Sequence, residues 1–272
     1  MRQDCGCDGA VVVDCVALSQ THVRPPELIA PLNNDPLTVL ALVHGENVRP
    51  GIFADVAAAR GERLVERPGA AALETSLDDC DAVIVLGGAM HPDEDDRHPW
   101  LADETQLLRR AAGRGIPVLG VCLGAQLLAR ALGGAVFRAP QPEVGWLDVE
   151  LTTAAHDDPV LGSLPRRFAA LQWHEYAYSP PPGAVELARS PVCNQAFRAG
   201  DAWGVQFHPE VTAAQLAAWA EEDPVPAAPA LIAETAARIG GWNELGARLC
   251  GGFLDYAAGR SSRRDHSCHE PA

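Results

Sequence analysis

Ile116-Pro-Val-Leu-Gly-Val-Cys-Leu-Gly-Ala-Gln126 is the stretch whose reading decides the fold. Ile116 to Val121 is a short apolar run opened by a proline, the pattern of a buried parallel strand. Directly after it, Leu123, Leu127, Leu128, Ala131 and Leu132 recur at helical spacing, and Gly133-Gly134 supplies a helix stop. Cys122 stands at the joint. Gly120-x-Cys122-x-Gly124 has the form of a nucleophile elbow, in which small residues let a strand turn sharply into a helix with the reactive side chain exposed at the bend. The N-terminal end of that helix offers a positive dipole and free N–H groups, both of which favour thiolate over thiol. A cysteine at a strand end is also a common small buried hydrophobe, so the elbow alone leaves both readings open.

Working outward, the same strand–helix alternation repeats toward the N-terminus. Leu37 to Val43 is a first core strand, followed by the polar loop His44-Gly45-Glu46-Asn47 and a helical segment from about Ile52 to Arg60. Short strands follow at Arg63 to Glu66 and Ala82 to Leu86, the latter ending in Gly87-Gly88. A helix is predicted over Pro99 to Arg114. This β-α-β-α order predicts an α/β fold, an open and mostly parallel sheet with helices on both faces, which keeps its chemistry at the carboxyl ends of the strands. His44, Gly87-Gly88 and Cys122 all fall at such ends.

Beyond Ala135 the texture shifts to shorter β-like pieces: 136–137, 147–151, 168–173, 184–188, 194–198 and 203–207. Turns at Pro181-Pro182-Gly183 and Ala199-Gly200-Asp201 separate some of them. Antiparallel strands added to the parallel core are expected there. Three closing helices are predicted, near 212–221, 228–239 and 244–257. Residues 1–36 read as a disordered extension, 37–258 as the one domain, and 259–272 as a frayed polar tail.

Composition excludes several chemistries. All 21 Lys+Arg positions are arginine, which rules out a lysine Schiff base and a Walker A lysine in this chain. A formal net charge of −15 argues against a nucleic-acid partner or an anionic membrane. No apolar run approaches the length of a membrane span. The Ala10–Leu18 stretch is interrupted by Asp14, unlike a signal peptide, so a cytoplasmic location is expected. The eight cysteines read as free thiols. No metal site and no cofactor are expected. Cys5-Gly-Cys7 has no second cysteine pair at zinc-finger spacing, and the acidic run from His91 to His98 lacks the spacing of a calcium loop. Trp173-His174-Glu175 shows too few ligands for a metal and reads as pocket wall or core.

Far along the chain, Val205-Gln206-Phe207-His208-Pro209-Glu210 follows another strand and precedes a helix. A cysteine nucleophile needs a base within hydrogen-bond reach, and that base needs a carboxylate to fix its tautomer. In His-Pro-Glu, Pro209 stiffens the turn so that Glu210 can fold back on His208. A sheet can bring this strand end beside Cys122.

Gly120-Val-Cys-Leu-Gly-Ala-Gln126 together with Gly204-Val-Gln-Phe-His-Pro-Glu210 resembles the class I (triad) glutamine amidotransferases, in particular the GMP-synthase-like stand-alone members. The resemblance covers about Leu37 to Tyr256 and implies a flavodoxin-like fold. It further implies that Cys122 attacks the side-chain amide of glutamine, that His208 shuttles the proton and that Glu210 orients His208. A γ-glutamyl thioester, ammonia and finally glutamate would result. By the same resemblance, Gly88 and Leu123 supply the oxyanion-hole N–H groups, although Ala89-Met90 departs from the usual proline and small polar residue. Gln126 is implied to contact the bound glutamine, and Glu143 and Gly145, in Glu143-Val-Gly-Trp146, to meet the amino-acid part of the substrate. The implied partner is a separate synthetase subunit that accepts the ammonia. Two other readings stay open, a γ-glutamyl peptide or conjugate hydrolase using the same triad and a non-catalytic regulatory subunit on the same fold. Sequence leaves the acceptor, the substrate choice and the oligomeric state undecided.

Overall fold

The computed structural model describes residues 35–222 and 228–267. The predicted extension over residues 1–36 and its Cys5-Gly-Cys7 pair therefore lie outside the described residues, save Asp35 and Pro36.

One nine-stranded sheet organises the fold. Its parallel half contains β1 (Thr38–Val43), β2 (Arg63–Pro68), β3 (Ala82–Val85), β4 (Val118–Val121) and β9 (Ala202–Val205). Its antiparallel half contains β5 (Val136–Leu151), β6 (Arg167–Tyr178), β7 (Val185–Arg189) and β8 (Asn194–Ala199). The strand order is β2-β1-β3-β4-β9-β8-β7-β5-β6, with β2 through β9 parallel and the rest antiparallel. The first five positions follow the flavodoxin-like order.

Alternation along the central strands builds two cores. Val39, Ile84, Leu119, Val121, Trp203 and Val205 point to one face, where α1 (Ile52–Ala59), α4 (Ala213–Glu222) and α5 (Ala228–Ser267) cover them. Leu40, Leu42, Val83, Val85 and Val118 point to the other, under α2 (Trp100–Gly113) and α3 (Leu123–Ala131). Because side chains alternate with period two, a strand buried on both faces must be apolar throughout, as β3 and β4 are.

Three expectations need correction. The predicted helices at 228–239 and 244–257 are one helix, α5, which runs straight through Gly240-Gly241. Each glycine costs about 1 kcal/mol relative to alanine. The stripe Leu231, Thr235, Trp242, Leu245, Leu249, Phe253 and Ala257 stays in phase across the pair and is buried, so packing holds the helix where propensity would break it. The same helix continues to Ser267, past Gly259 where fraying is predicted. Arg260 pairs with Asp201 at 2.6 Å and Ser261 bonds Asp81 at 2.7 Å. Finally, the predicted pieces at 136–137 and 147–151 belong to a single long strand, β5. Pro140 and Pro142 fall within an irregularity between Arg138 and Glu143 where the β5–β6 register shifts, and pairing to β7 is confined to Glu150 and Leu151. The missing N–H groups therefore break no ladder bond.

Candidate active site

Four adjacent strands, β1, β3, β4 and β9, end side by side, and the residues just past their ends converge. At the end of β4, Cys122 has φ 51° and ψ −109°, and it is the one non-glycine residue with positive φ among the described residues. Such a conformation costs of order 1–3 kcal/mol and persists only where surroundings impose it. Here the Cys122 N–H donates to the Val205 carbonyl at 2.8 Å, and the Cys122 carbonyl accepts from Gln126 N at 3.0 Å. The flanking glycines are sterically required. A Cβ on Gly120 would lie 2.6 Å from the Gly124 oxygen, and one on Gly124 would lie 2.2 Å from the Val85 oxygen.

Past β9, His208 is fixed by its backbone. Its N–H donates to Leu171 at 3.0 Å, and its carbonyl accepts from the Trp242 indole at 2.9 Å. His208 Nδ1 lies 2.8 Å from Glu210 Oε1, both side chains being buried. With Nδ1 committed to the carboxylate, Nε2 is the ring nitrogen left for Cys122, whose side chain contacts the ring. Trp219 packs edge-on against the imidazole, centroids 4.9 Å apart. Burial works against a charge on His208, but Glu210 and then Cys122 outweigh it and push the imidazolium up to about 10.

That shift has a consequence for stability. A histidine raised from 6.5 to about 10 contributes stability in full below the unfolded value and loses it as pH rises through the folded one. The melting temperature of the wild type is therefore expected to fall between pH 6.5 and 10 more steeply than that of Glu210→Gln. Parallel melting curves across that window would show that the His208–Glu210 pair does not hold the proton.

Behind the Gly87-Gly88 loop, His44, which the sequence placed at a strand end, has a partner that no local pattern signalled. His44, just past β1, places Nδ1 2.7 Å from the Gly87 carbonyl and Nε2 2.9 Å from Glu104 Oε2, with both side chains fully buried. Both partners are acceptors, so the ring carries a proton on each nitrogen. Burial opposes that charge, yet Glu104 and the Gly87 carbonyl raise the pKa above its usual value. A trans peptide sets its C=O and N–H antiparallel, so fixing the Gly87 oxygen on His44 turns the Gly88 N–H to the opposite side. Glu104 lies on α2, a predicted helix in which the sequence singles out no carboxylate.

A cavity of about 540 Å³ opens above these groups, lined by Gly88, Cys122, Leu123, Gln126, His174 and His208 among others. Leu123, the first residue of α3, presents one of the N–H groups that a helix start leaves without an internal partner. Gln126 lines the wall while its Nε2 donates to the Tyr176 carbonyl at 2.9 Å. Sγ of Cys122 lies 4.0 Å from the Trp173 carbonyl oxygen. His91, from the acidic run, stacks on Tyr176 with centroids 4.5 Å apart and also lines the cavity, while Asp95 pairs with Arg130 at 2.7 Å. Glu143 and Gly145 are not part of the lining. Glu143 instead turns its carboxylate into a buried cluster, accepting from Gln195 Nε2 at 2.8 Å. No helix among the described residues is long and apolar enough to cross a membrane.

Known proteins resemble this chain in sequence and in fold. The family model for "Glutamine amidotransferase class-I" matches residues 57–219, more than half of the chain, and spans Cys122, His208 and Glu210. The glutamine-hydrolyzing GMP synthase of Thermus thermophilus is 35% identical over 148 residues, 53% of this chain but only 27% of that protein. A glutamine-hydrolyzing GMP synthase subunit of Haloquadratum walsbyi is 41% identical over 100 residues, 35% of this chain and 53% of that protein. The match thus spans between about a quarter and half of these relatives. A solved glutamine amidotransferase of Thermotoga maritima superposes with a TM-score of 0.73 at 28% identity, covering 82% of this chain and 99% of that one. With the elbow, the His-Pro-Glu turn and the flavodoxin-like sheet in place, the chain belongs to the class I glutamine amidotransferase family.

Proposed function

We propose that this protein hydrolyses the side-chain amide of glutamine through a Cys122 thioester and passes the ammonia to a separate acceptor or synthetase. The observation that carries the reading is the His208–Glu210 contact at 2.8 Å with Cys122 against the same ring, at the foot of a cavity sized for a small ligand.

In this reading the Cys122 sulfur attacks the amide carbon and its proton resides on His208. The tetrahedral oxyanion is met by the N–H groups of Gly88 and Leu123. His208 then gives its proton to the departing nitrogen, releasing ammonia and leaving the γ-glutamyl thioester. Water, deprotonated by His208, cleaves the thioester to glutamate and restores the thiol. Gln126 contributes to the substrate wall. Glu143 and Gly145 act only indirectly, through the strand that carries Val144 into the lining. The partner rests on analogy with relatives named as single subunits of a glutamine-hydrolyzing GMP synthase.

Purified protein is expected to release glutamate from glutamine. Absence of release from glutamine and from γ-glutamyl amides alike would reject the reading. The same cavity is open to solvent and can admit a γ-glutamyl conjugate, which supplies the second reading. Faster turnover of such conjugates than of glutamine would select it.

His44 enters this reading as a positioning residue for the Gly88 N–H. His44→Leu is expected to lower kcat about tenfold to a hundredfold with KM little changed, within the range for a weakened oxyanion donor. His44→Asn, whose side-chain N–H can replace Nδ1, should recover part of it. Equal loss in both variants, or a change confined to KM, would refute this role.

A further inference from the structure

We infer that Glu143, His174 and Cys193 form a binding site for one divalent transition-metal ion of the zinc class, beside the catalytic cavity. This goes beyond the amidotransferase reading and does not rest on it. Sequence showed only His174 beside a carboxylate, too few ligands for a metal, and the fold supplies the others. Glu143 and His174 are direct cross-strand partners of β5 and β6, and Cys193 comes from the turn between β7 and β8.

The distances suit a tetrahedral ion. Glu143 Oε2 lies 3.3 Å from His174 Nε2 and 3.3 Å from Cys193 Sγ, and the three ligand atoms lie within 4.8 Å of one another. Bonds of about 2.0–2.3 Å to zinc place neighbouring ligand atoms about 3.3–3.8 Å apart. Two edges are close to that length already, and the third requires at most about 1–1.5 Å of closure by the same geometry.

The orientation of His174 is the independent observation. Its Nδ1 donates to the Tyr176 carbonyl at 2.9 Å, which turns Nε2 toward Glu143 Oε2, 3.3 Å away. That atom is buried, in a side chain 2% exposed, and makes no hydrogen bond, its nearest charged neighbour being the Glu143 carboxylate. A divalent cation between the two groups would take the place of the proton they can share, with Nε2 as a neutral ligand and Glu143 as an anionic one. A carbonyl on the far ring nitrogen is also the usual support for a metal-ligating histidine. Glu143 is held from behind in the same manner by Gln195 Nε2 at 2.8 Å, with Gln195 Oε1 accepting from Gln172 at 2.6 Å.

Charge and ligand type select the ion. One nitrogen, one oxygen and one sulfur form a borderline-soft set that suits zinc, cobalt or a similar metal and not calcium or magnesium. On binding, the Cys193 S–H bond breaks, a metal–sulfur bond forms, and the proton leaves to solvent. The thiolate and carboxylate then neutralise a divalent charge, which a buried site requires. Without metal, burial and the neighbouring Glu143 push the Cys193 thiol up to about 12, so it is a neutral thiol and no rival nucleophile to Cys122. Three protein ligands leave a fourth position open, the arrangement of a site that keeps a water.

Titration of the full chain with Co²⁺, under reducing conditions and in a Cys122→Ala background, tests this. One Co²⁺ per chain should bind with a tetrahedral ligand-field spectrum and a thiolate-to-cobalt charge-transfer band, and Zn²⁺ should displace it. Adding Cys193→Ser should abolish the band and weaken binding at least about tenfold. His174→Gln, which keeps the thiol, should lose the tetrahedral spectrum, and circular dichroism will confirm that each variant is folded. A charge-transfer band that survives Cys193→Ser, or no thiolate band in the Cys122→Ala protein, overturns the inference.

Discussion

Replacing Cys122 with alanine is expected to reduce glutamate release from glutamine by about four orders of magnitude or more, the scale seen when a nucleophile is removed from a triad. The loss should fall on chemistry and leave the fold intact. Alanine meets the same φ of 51° with no larger side chain, and the elbow is held by the Cys122 N–H to Val205 bond and the two close-packed glycines. Comparing single-turnover rates, with melting curves as a folding control, measures this directly. Covalent labelling by a glutamine-analogue electrophile should occur at Cys122 in the wild type and vanish in the variant. Retention of about one per cent of activity, far above the loss expected for a missing nucleophile, would mean that Cys122 is not the nucleophile, and labelling independent of Cys122, or none, would favour the silent-subunit reading.

The second large effect concerns Glu210. Glu210→Gln preserves shape but reverses the hydrogen bond, because an amide N–H aimed at His208 Nδ1 forces the ring proton onto Nε2. That nitrogen then faces Cys122 as a donor and can no longer accept its proton. An expected fall of about a thousandfold to ten-thousandfold in kcat follows from the wrong tautomer, with KM nearly unchanged because Glu210 lies behind the ring and does not line the cavity. Loss of the carboxylate also removes the leading attraction that raises the His208 pKa, so the alkaline limb of the pH–rate profile should move down. Glu210→Asp, which keeps the charge, should recover part of the rate. A Gln variant within about tenfold of wild type, far short of the loss a wrong tautomer causes, would mean that Glu210 has only a structural role.

Both arguments depend on residues that local chemistry exposed. Gly120, Cys122 and Gly124 are legible because a strand that turns at once into a helix needs small residues at fixed offsets. His208 and Glu210 are legible because the rigid proline between them limits the turn to a few shapes. Strands β1, β3 and β4 were equally readable, since strands buried on both faces must be apolar over their whole length, whereas β9, expected among the added antiparallel pieces, pairs parallel to β4. Gln126 lines the cavity wall. Glu143 and Gly145 do not, because the direction of a side chain on a bulged strand depends on its register with β6, which no local pattern encodes.

What the sequence by itself determined is therefore the strand–elbow–helix unit, the His-Pro-Glu turn and the α/β class, all set by residues within a few positions of one another. Tertiary structure alone decided the rest. It carried α5 through Gly240-Gly241 on a buried stripe, and it accommodated Pro140 and Pro142 in β5 where the register shifts. It brought His44 against Glu104 behind the Gly87 carbonyl, and it gathered Glu143, His174 and Cys193 from three segments around one buried nitrogen. The physical reason is the same in each case. Burial and pairing across the sheet are worth more than local propensity, and a charge becomes informative only when its partner, distant in sequence, is packed against it away from water.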